Sequence, residues 1–153
     1  MADMNTKGIC WVKLVALMSL ISLSALAAAE TVYPAKQSSK DLTGYAFNNP
    51  NTIVTETPGG TIRDLTSLKS SDGKFASGMY SAGKSRFDIT EPYGVDEFMY
   101  FLEGSVTLTS SDGTVQTIEA GEGITVPKEW TGTWETEGYT KIWVIYSGDH
   151  ESQ

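Results

Sequence analysis

Histidine and cysteine are nearly missing: the 153 residues hold one of each. Cys10 lies ahead of the first apolar run, and His150 stands in the closing Gly148-Asp149-His150-Glu151 segment, where a solvated side chain is expected. A Ser-His-Asp arrangement is therefore excluded in practice despite plentiful serine. Transition metals, which favour imidazole or thiolate, are offered almost nothing. Positive charge is short as well, with 11 Lys and Arg against 19 Asp and Glu and a net charge of -8. So acidic a chain repels phosphate, which argues against nucleic acid or anionic lipid as partners; its acidity serves solubility. No glycine-rich phosphate loop is present either, because Pro58-Gly59-Gly60 reads as a turn with no helix after it.

The one long apolar run, Leu14 to Leu26, contains Ser19, Ser22 and Ser24. It falls short of the roughly 20 apolar residues that span a bilayer. Lys7 and Lys13 before it and Ala27-Ala28-Ala29 after it complete the pattern of a secretory signal peptide over residues 1–29. The expectation is a bacterial protein exported to the periplasm or beyond, with no stable membrane insertion after cleavage. Cys10 is not placed for a lipoprotein anchor. Without Lys7, Lys13 and Asp3 the balance is 9 basic to 18 acidic residues, and no cysteine remains. A mature chain of about 120 residues must then be stabilised by one hydrophobic core without disulfides.

Residues 30–73 are polar, with turn signals at Asn48-Asn49-Pro50-Asn51 and Pro58-Gly59-Gly60 and short apolar pieces at Thr52–Thr55 and Thr61–Arg63. They are expected to form an N-terminal arm of short strands and loops. From Lys74, strand-like runs alternate with Gly, Asp-Gly and Pro about every ten residues, the spacing of an all-β sandwich or barrel. The runs are Phe75–Tyr80, Ser85–Ile89, Glu97–Leu102, Val106–Thr109, Thr114–Ile118, Ile124–Val126, Trp130–Glu135 and Tyr139–Tyr146, and Asp112-Gly113 marks a hairpin. The domain so defined covers 74–147, with a flexible tail over 148–153. Alternation puts Glu97, Met99 and Phe101 on one face and Phe98, Tyr100 and Leu102 on the other. The last run likewise sets Ile142, Val144 and Tyr146 opposite Lys141, Trp143 and Ile145. Strands apolar on both faces need cover on both sides. The second cover is expected from the N-terminal arm or from another subunit, which suggests a homodimer.

Two punctuated segments stand out: Glu97 with Gly104 after six residues, and Gly121 with Pro127 after five. These spacings resemble the two sequence motifs of the cupin superfamily. The stretch DEFMYFLEGSVTLTSSDGTVQTIEAGEGITVPKEWTGTWE resembles more closely the subgroup named for the ureidoglycine aminohydrolase cupin domain. The resemblance covers about Lys74 to Tyr146 and implies a double-stranded β-helix, the cupin jelly-roll barrel. Carried over position by position, the metal motif's glutamate falls on Glu97, its upstream histidines on Glu91 and Tyr93, and its downstream histidine on Gly132. Three of the four customary ligands are thus missing, and neither metal nor other cofactor is expected. A carboxylate set of Glu91, Asp96 and Glu97 would suit only a hard cation, given further backbone oxygens. Two smaller departures are Glu122 in a turn that usually carries Asp and Glu129 where the subgroup has Gly.

The barrel mouth is expected to present Glu91, Tyr93, Glu97, Trp130 and Trp134, with Arg86 and Lys128 nearby and Met99 on the face of Glu97. Glu97 and Glu91 form either a carboxylate pair whose repulsion tunes one of them for acid–base work or a hydrogen-bonded barrel cap. Trp130 and Trp134, four apart in a supposed strand, form either a stacking wall for a flat ring or ordinary core. Trp143 and Tyr146 are expected in core or interface. Two functions follow: binding of a small organic molecule such as a sugar or nitrogenous metabolite, or proton-transfer chemistry such as isomerisation or ureido hydrolysis. In the second, Glu97 or Glu91 is the base and Tyr93 the acid. The binding function is favoured, because fold kinship does not supply an activity and the histidines of the metal-dependent hydrolase are gone.

Overall fold

A computed structural model of the chain describes residues 31–148. The expected signal peptide, Cys10 and His150 lie outside the described residues. From Pro34 onward the described residues form one unit. No helix among the described residues is long and apolar enough to cross a membrane.

The arm begins with one helical turn, α1 (Ser39–Leu42), started by Ser38, whose hydroxyl accepts from the Asp41 N–H while the Asp41 carboxylate accepts from the Ser38 N–H. A 3-10 turn, Tyr45–Asn48, follows and packs on the second strand. Seven strands come next: β1 (Ile53–Thr57), β2 (Gly60–Lys69), β3 (Phe75–Ile89), β4 (Asp96–Ser110), β5 (Val115–Glu119), β6 (Gly123–Val126) and β7 (Gly132–Tyr146). All pair antiparallel in the order β1-β2-β3-β7-β4-β5, and β6 shares the edge of β4 with β5. This is the all-β architecture that the spacing of strand-like runs predicts, and it agrees with the cupin jelly roll that the resemblance implies. The Asp112-Gly113 hairpin also forms, its turn held by the Asp112 carboxylate accepting from the Thr114 N–H.

Three pairs of runs that read as separate strands are single ones. β3, β4 and β7 each run 15 residues, straight through glycines that resemble turns in sequence. Those glycines meet: Gly83 lies opposite Gly138, and Gly138 opposite Ser105 beside Gly104. At Gly104, φ is +70°, and an added methyl would collide with the Gly138 carbonyl. The strands bend at this seam because backbone approaches backbone where no side chain fits. The arm differs too, since Thr61-Ile62-Arg63 is part of the ten-residue β2, which joins the main sheet through β3.

Inside the barrel, Met99, Phe101, Val106, Leu108, Ile118, Val126, Trp134 and Tyr139 form one core cluster. The alternation in β4 holds: Glu97, Met99 and Phe101 are buried, while Phe98 and Tyr100 face out, 45% and 39% exposed. On the outward face of β2 and β3, Leu65 and its cross-strand partner Met79 are buried.

Candidate functional site

β7 lies between β3 and β4, so its inward residues occupy the middle of the barrel wall. Among them is Lys141, only 5% exposed. Strand register aligns Asp64 of β2, Tyr80 of β3, Lys141 of β7 and Phe101 of β4 in one row across the sheet. From that row the lysine stem passes Met99, with Nζ 2.9 Å from Sδ, and its ammonium donates to Glu97 Oε1 at 2.7 Å. The other carboxylate oxygen of Glu97 accepts from the Tyr93 hydroxyl. Three aromatic rings surround the ammonium, Trp134 at 5.3 Å, Tyr80 at 5.6 Å and Tyr139 at 5.8 Å.

These groups line a cavity of about 330 Å³, whose walls add Thr66, Phe87, Trp143 and Ile145. Phe87, 48% exposed, brings the cavity to the surface and stacks on Trp134 with the rings 11° from parallel. Burial pushes the Lys141 ammonium below the ordinary lysine value, against the pull of Glu97 and Asp64. Burial raises the Asp64 carboxyl above 3.8, opposed by a hydrogen bond from Trp143 and by the charge of Lys141. The Tyr93 and Tyr139 hydroxyls are driven above 10 first by desolvation, then by Glu97 in the case of Tyr93 and by Tyr80 and Glu97 in the case of Tyr139. Asp64 Oδ1 and Trp134 Nε1 are buried without a partner. A chain of proton-carrying groups, Tyr93 to Glu97 to Lys141, thus faces a small aromatic chamber.

Of the residues named from sequence, Glu97, Tyr93 and Trp134 line this chamber and Met99 lies beneath it. Glu91 is exposed and does not line it, so the partner of Glu97 is Lys141 rather than a second carboxylate. Trp130 precedes β7 and does not line the chamber with Trp134, although its ring packs against the same core cluster. The Pro127–Trp130 turn, closed by the Trp130 N–H donating to the Pro127 carbonyl, turns its ring edge-on to Tyr93, with Nε1 donating to Ser110. Arg86 sits on the exposed rim, paired with Glu135 and Asp88, and lines a neighbouring cavity of about 380 Å³ that shares Tyr80, Phe87 and Tyr139 with the first. The Lys128 N–H donates to the Asp96 carboxylate.

Lys141 and Asp64 were not singled out from sequence. The signal for Lys141 is its place in the alternation, on the apolar face with Trp143 and Ile145. Asp64 carries no comparable signal, because β2 does not read as a strand of the main sheet.

The metal implied by the cupin resemblance does not fit this donor set. Both oxygens of Glu97 are engaged by Lys141 and Tyr93, Glu91 is exposed, and Gly132 offers no side chain. Asp96 is bound to the Lys128 backbone, and among the described residues no three His, Cys, Asp or Glu side chains assemble.

The strand topology is that of a cupin jelly roll, although the site lacks the metal ligands usual in that fold. The family described as the EutQ-like cupin domain matches residues 69–141, and in that domain the chain resembles EutQ-like proteins. Among solved structures, a Rhizobium leguminosarum protein of unknown function is 22% identical, with 76% of this chain and 100% of that one covered and a TM-score of 0.52. A putative ethanolamine utilization protein EutQ from Salmonella typhimurium is 15% identical, with 66% and 98% covered and a TM-score of 0.50. A protein of the DUF861 family from Pseudomonas syringae is 18% identical, with 63% and 40% covered and a TM-score of 0.53. These likenesses concern the fold. No curated protein matches the chain.

Proposed function

We infer that the chain binds a small organic molecule, flat on at least one face, inside the barrel. The observation that carries this is the 330 Å³ chamber, in which Tyr80, Phe87, Trp134 and Tyr139 supply apolar walls and the Lys141–Glu97–Tyr93 chain supplies a polar end. Concave aromatic walls with a few convergent polar groups are the usual make-up of a small-molecule site. Titration calorimetry with benzamide, indole and a methyl glucoside tests the reading. Saturable binding of benzamide or indole is expected. Phe87→Ala, which removes an exposed ring, should weaken it about tenfold, the equivalent of one aromatic contact of ~1.4 kcal/mol. Absence of saturable binding for all three compounds overturns the inference.

A second reading, proton-transfer catalysis on a nitrogenous compound as in the ureidoglycine aminohydrolase-like subgroup, is supported by Tyr93 and Lys141 sharing the carboxylate of Glu97. It gives Glu97 the role of base. Glu97→Gln would then abolish turnover and spare affinity, whereas turnover retained in that variant sinks it.

Export through the N-terminal segment and assembly as a homodimer complete the proposal. The dimer reading is supported by the outward apolar face of β4 and β7. There Phe98 lies opposite Val144 and Tyr100 opposite Ile142, with both aromatic rings exposed. Light scattering at micromolar concentration should give twice the chain mass, and Phe98→Glu should return it to one.

A further inference from the structure

We propose that Lys141 is a covalent capture site, its amine forming an imine with a small aldehyde that enters the barrel chamber. The proposal rests on the reading of that chamber as a small-molecule site and names the class of compound it takes.

Four observations converge on this amine. Lys141 carries the sole amine among the chamber-lining residues. It is nearly closed off from solvent yet lines a space large enough for a small aromatic molecule. Glu97, 2.7 Å from Nζ, is positioned to take its proton without help from water. Tyr80, Phe87, Trp134 and Tyr139 place apolar walls around the amine. Desolvation, which pushes the ammonium below its ordinary value, works in the same direction, as it does for lysine nucleophiles in apolar pockets. The titratable groups facing Nζ come from every packed element: Asp64 from β2, Tyr80 from β3, Glu97 from β4, Tyr139 from β7 and Tyr93 from the loop between β3 and β4.

The steps balance. The ammonium proton passes to Glu97, and the freed nitrogen lone pair attacks the carbonyl carbon. The C–N bond forms as the carbonyl π pair moves to oxygen, and a proton moves from nitrogen to that oxygen to give the carbinolamine. Glu97 then returns its proton to the hydroxyl, the C–O bond breaks, and water leaves as the C=N bond forms. The net change is ammonium plus aldehyde to protonated imine plus water, with no external oxidant or reductant. Charge is conserved, so the protonated imine inherits the ion pair with Glu97 and the three rings that faced the ammonium.

The test uses the whole protein with benzaldehyde and cyanoborohydride, which reduces an imine to a stable secondary amine, followed by peptide mapping. One adduct per chain at Lys141 is expected, formed at least about tenfold faster than at the exposed Lys84, as befits an amine with its own proton acceptor. Lys141→Arg should lose that adduct while surface labelling continues. Because the mapping is made on the unaltered protein, it stands even where that variant fails to fold. Lys141 unmodified while surface lysines react overturns the proposal. Benzyl alcohol, which can occupy the chamber but cannot form an imine, separates the two claims. Saturable binding of the alcohol with Lys141 unlabelled leaves the chamber as a binding site and removes only the covalent step, whereas no binding and no label remove both.

Discussion

Replacing Lys141 with methionine should destabilise the protein by about 3–5 kcal/mol near neutral pH, the usual cost of removing one partner from a buried ion pair. Methionine keeps most of the lysine stem's volume, so the loss reflects charge more than packing. What remains is the Glu97 carboxylate, 4% exposed, still accepting from the Tyr93 hydroxyl. Removing both charges in Glu97→Gln with Lys141→Met should recover much of the loss, since a neutral pair avoids the desolvation that the ions incur. Urea unfolding of the two single variants, the double variant and the parent closes this cycle. A double variant as unstable as the sum of the singles would show that the ion pair is not the unit.

The pH dependence follows from the same groups. Lys141 holds its proton less tightly folded than unfolded, so the unfolded state binds more protons between the depressed value and 10.5. Its contribution to stability therefore rises with pH across that window and falls away as pH drops through the folded value. Tyr93 and Tyr139 act in the opposite sense, because their raised values give a contribution that is complete below 10 and lost as pH climbs through the folded values. The parent should thus gain from Lys141 on the approach to pH 10 and lose to the tyrosines beyond it. Lys141→Met should lack the first limb and keep the second.

That this pair escapes a reading of the sequence has a physical reason. Glu97 is legible because it sits at a fixed spacing from Gly104, and Tyr93 because it falls where the resemblance expects a ligand. The alternation of the last run already places Lys141 with Trp143 and Ile145. Yet a lysine in a strand ordinarily ends in water, and only the placement of β7 between β3 and β4, with this face toward the barrel interior, turns it inward. Asp64 is harder still. It reaches the chamber through the pairing of β2 with β3, and the polar composition of residues 60–69 hides that strand. Trp130 shows the opposite error: the run read from Trp130 starts a strand on the last residue of the Pro127–Trp130 turn, where period-two logic does not hold. The overall barrel was readable because turns, hairpin and motif spacings agree, whereas the length of its strands was not, since a glycine that bends a strand looks in sequence like one that ends it.

Gly104→Ala tests that distinction and should be severely damaging, costing at least about 3 kcal/mol and in the extreme abolishing folding. Two penalties coincide at this position. The backbone sits at φ +70°, where a Cβ is strained even in open space, and the methyl would meet the Gly138 carbonyl and lie 2.9 Å from Tyr139 Cα on the neighbouring strand. Neither neighbour can move alone. Tyr139 is 7% exposed and packs edge-on to Phe101, while Gly138 is held by its N–H donating to the Thr136 hydroxyl. Gly113 is the matched control, with φ of +87° but nothing within 4 Å of an added methyl. Gly113→Ala should incur only the conformational part, about 1 kcal/mol. Thermal unfolding of the two variants side by side separates turn strain from strand crossing. Equal losses would mean that Gly104 is merely a turn glycine. A loss at Gly104 several times larger would show that the close passage of β4 past β7 at Gly138, and not turn strain alone, demands glycine here.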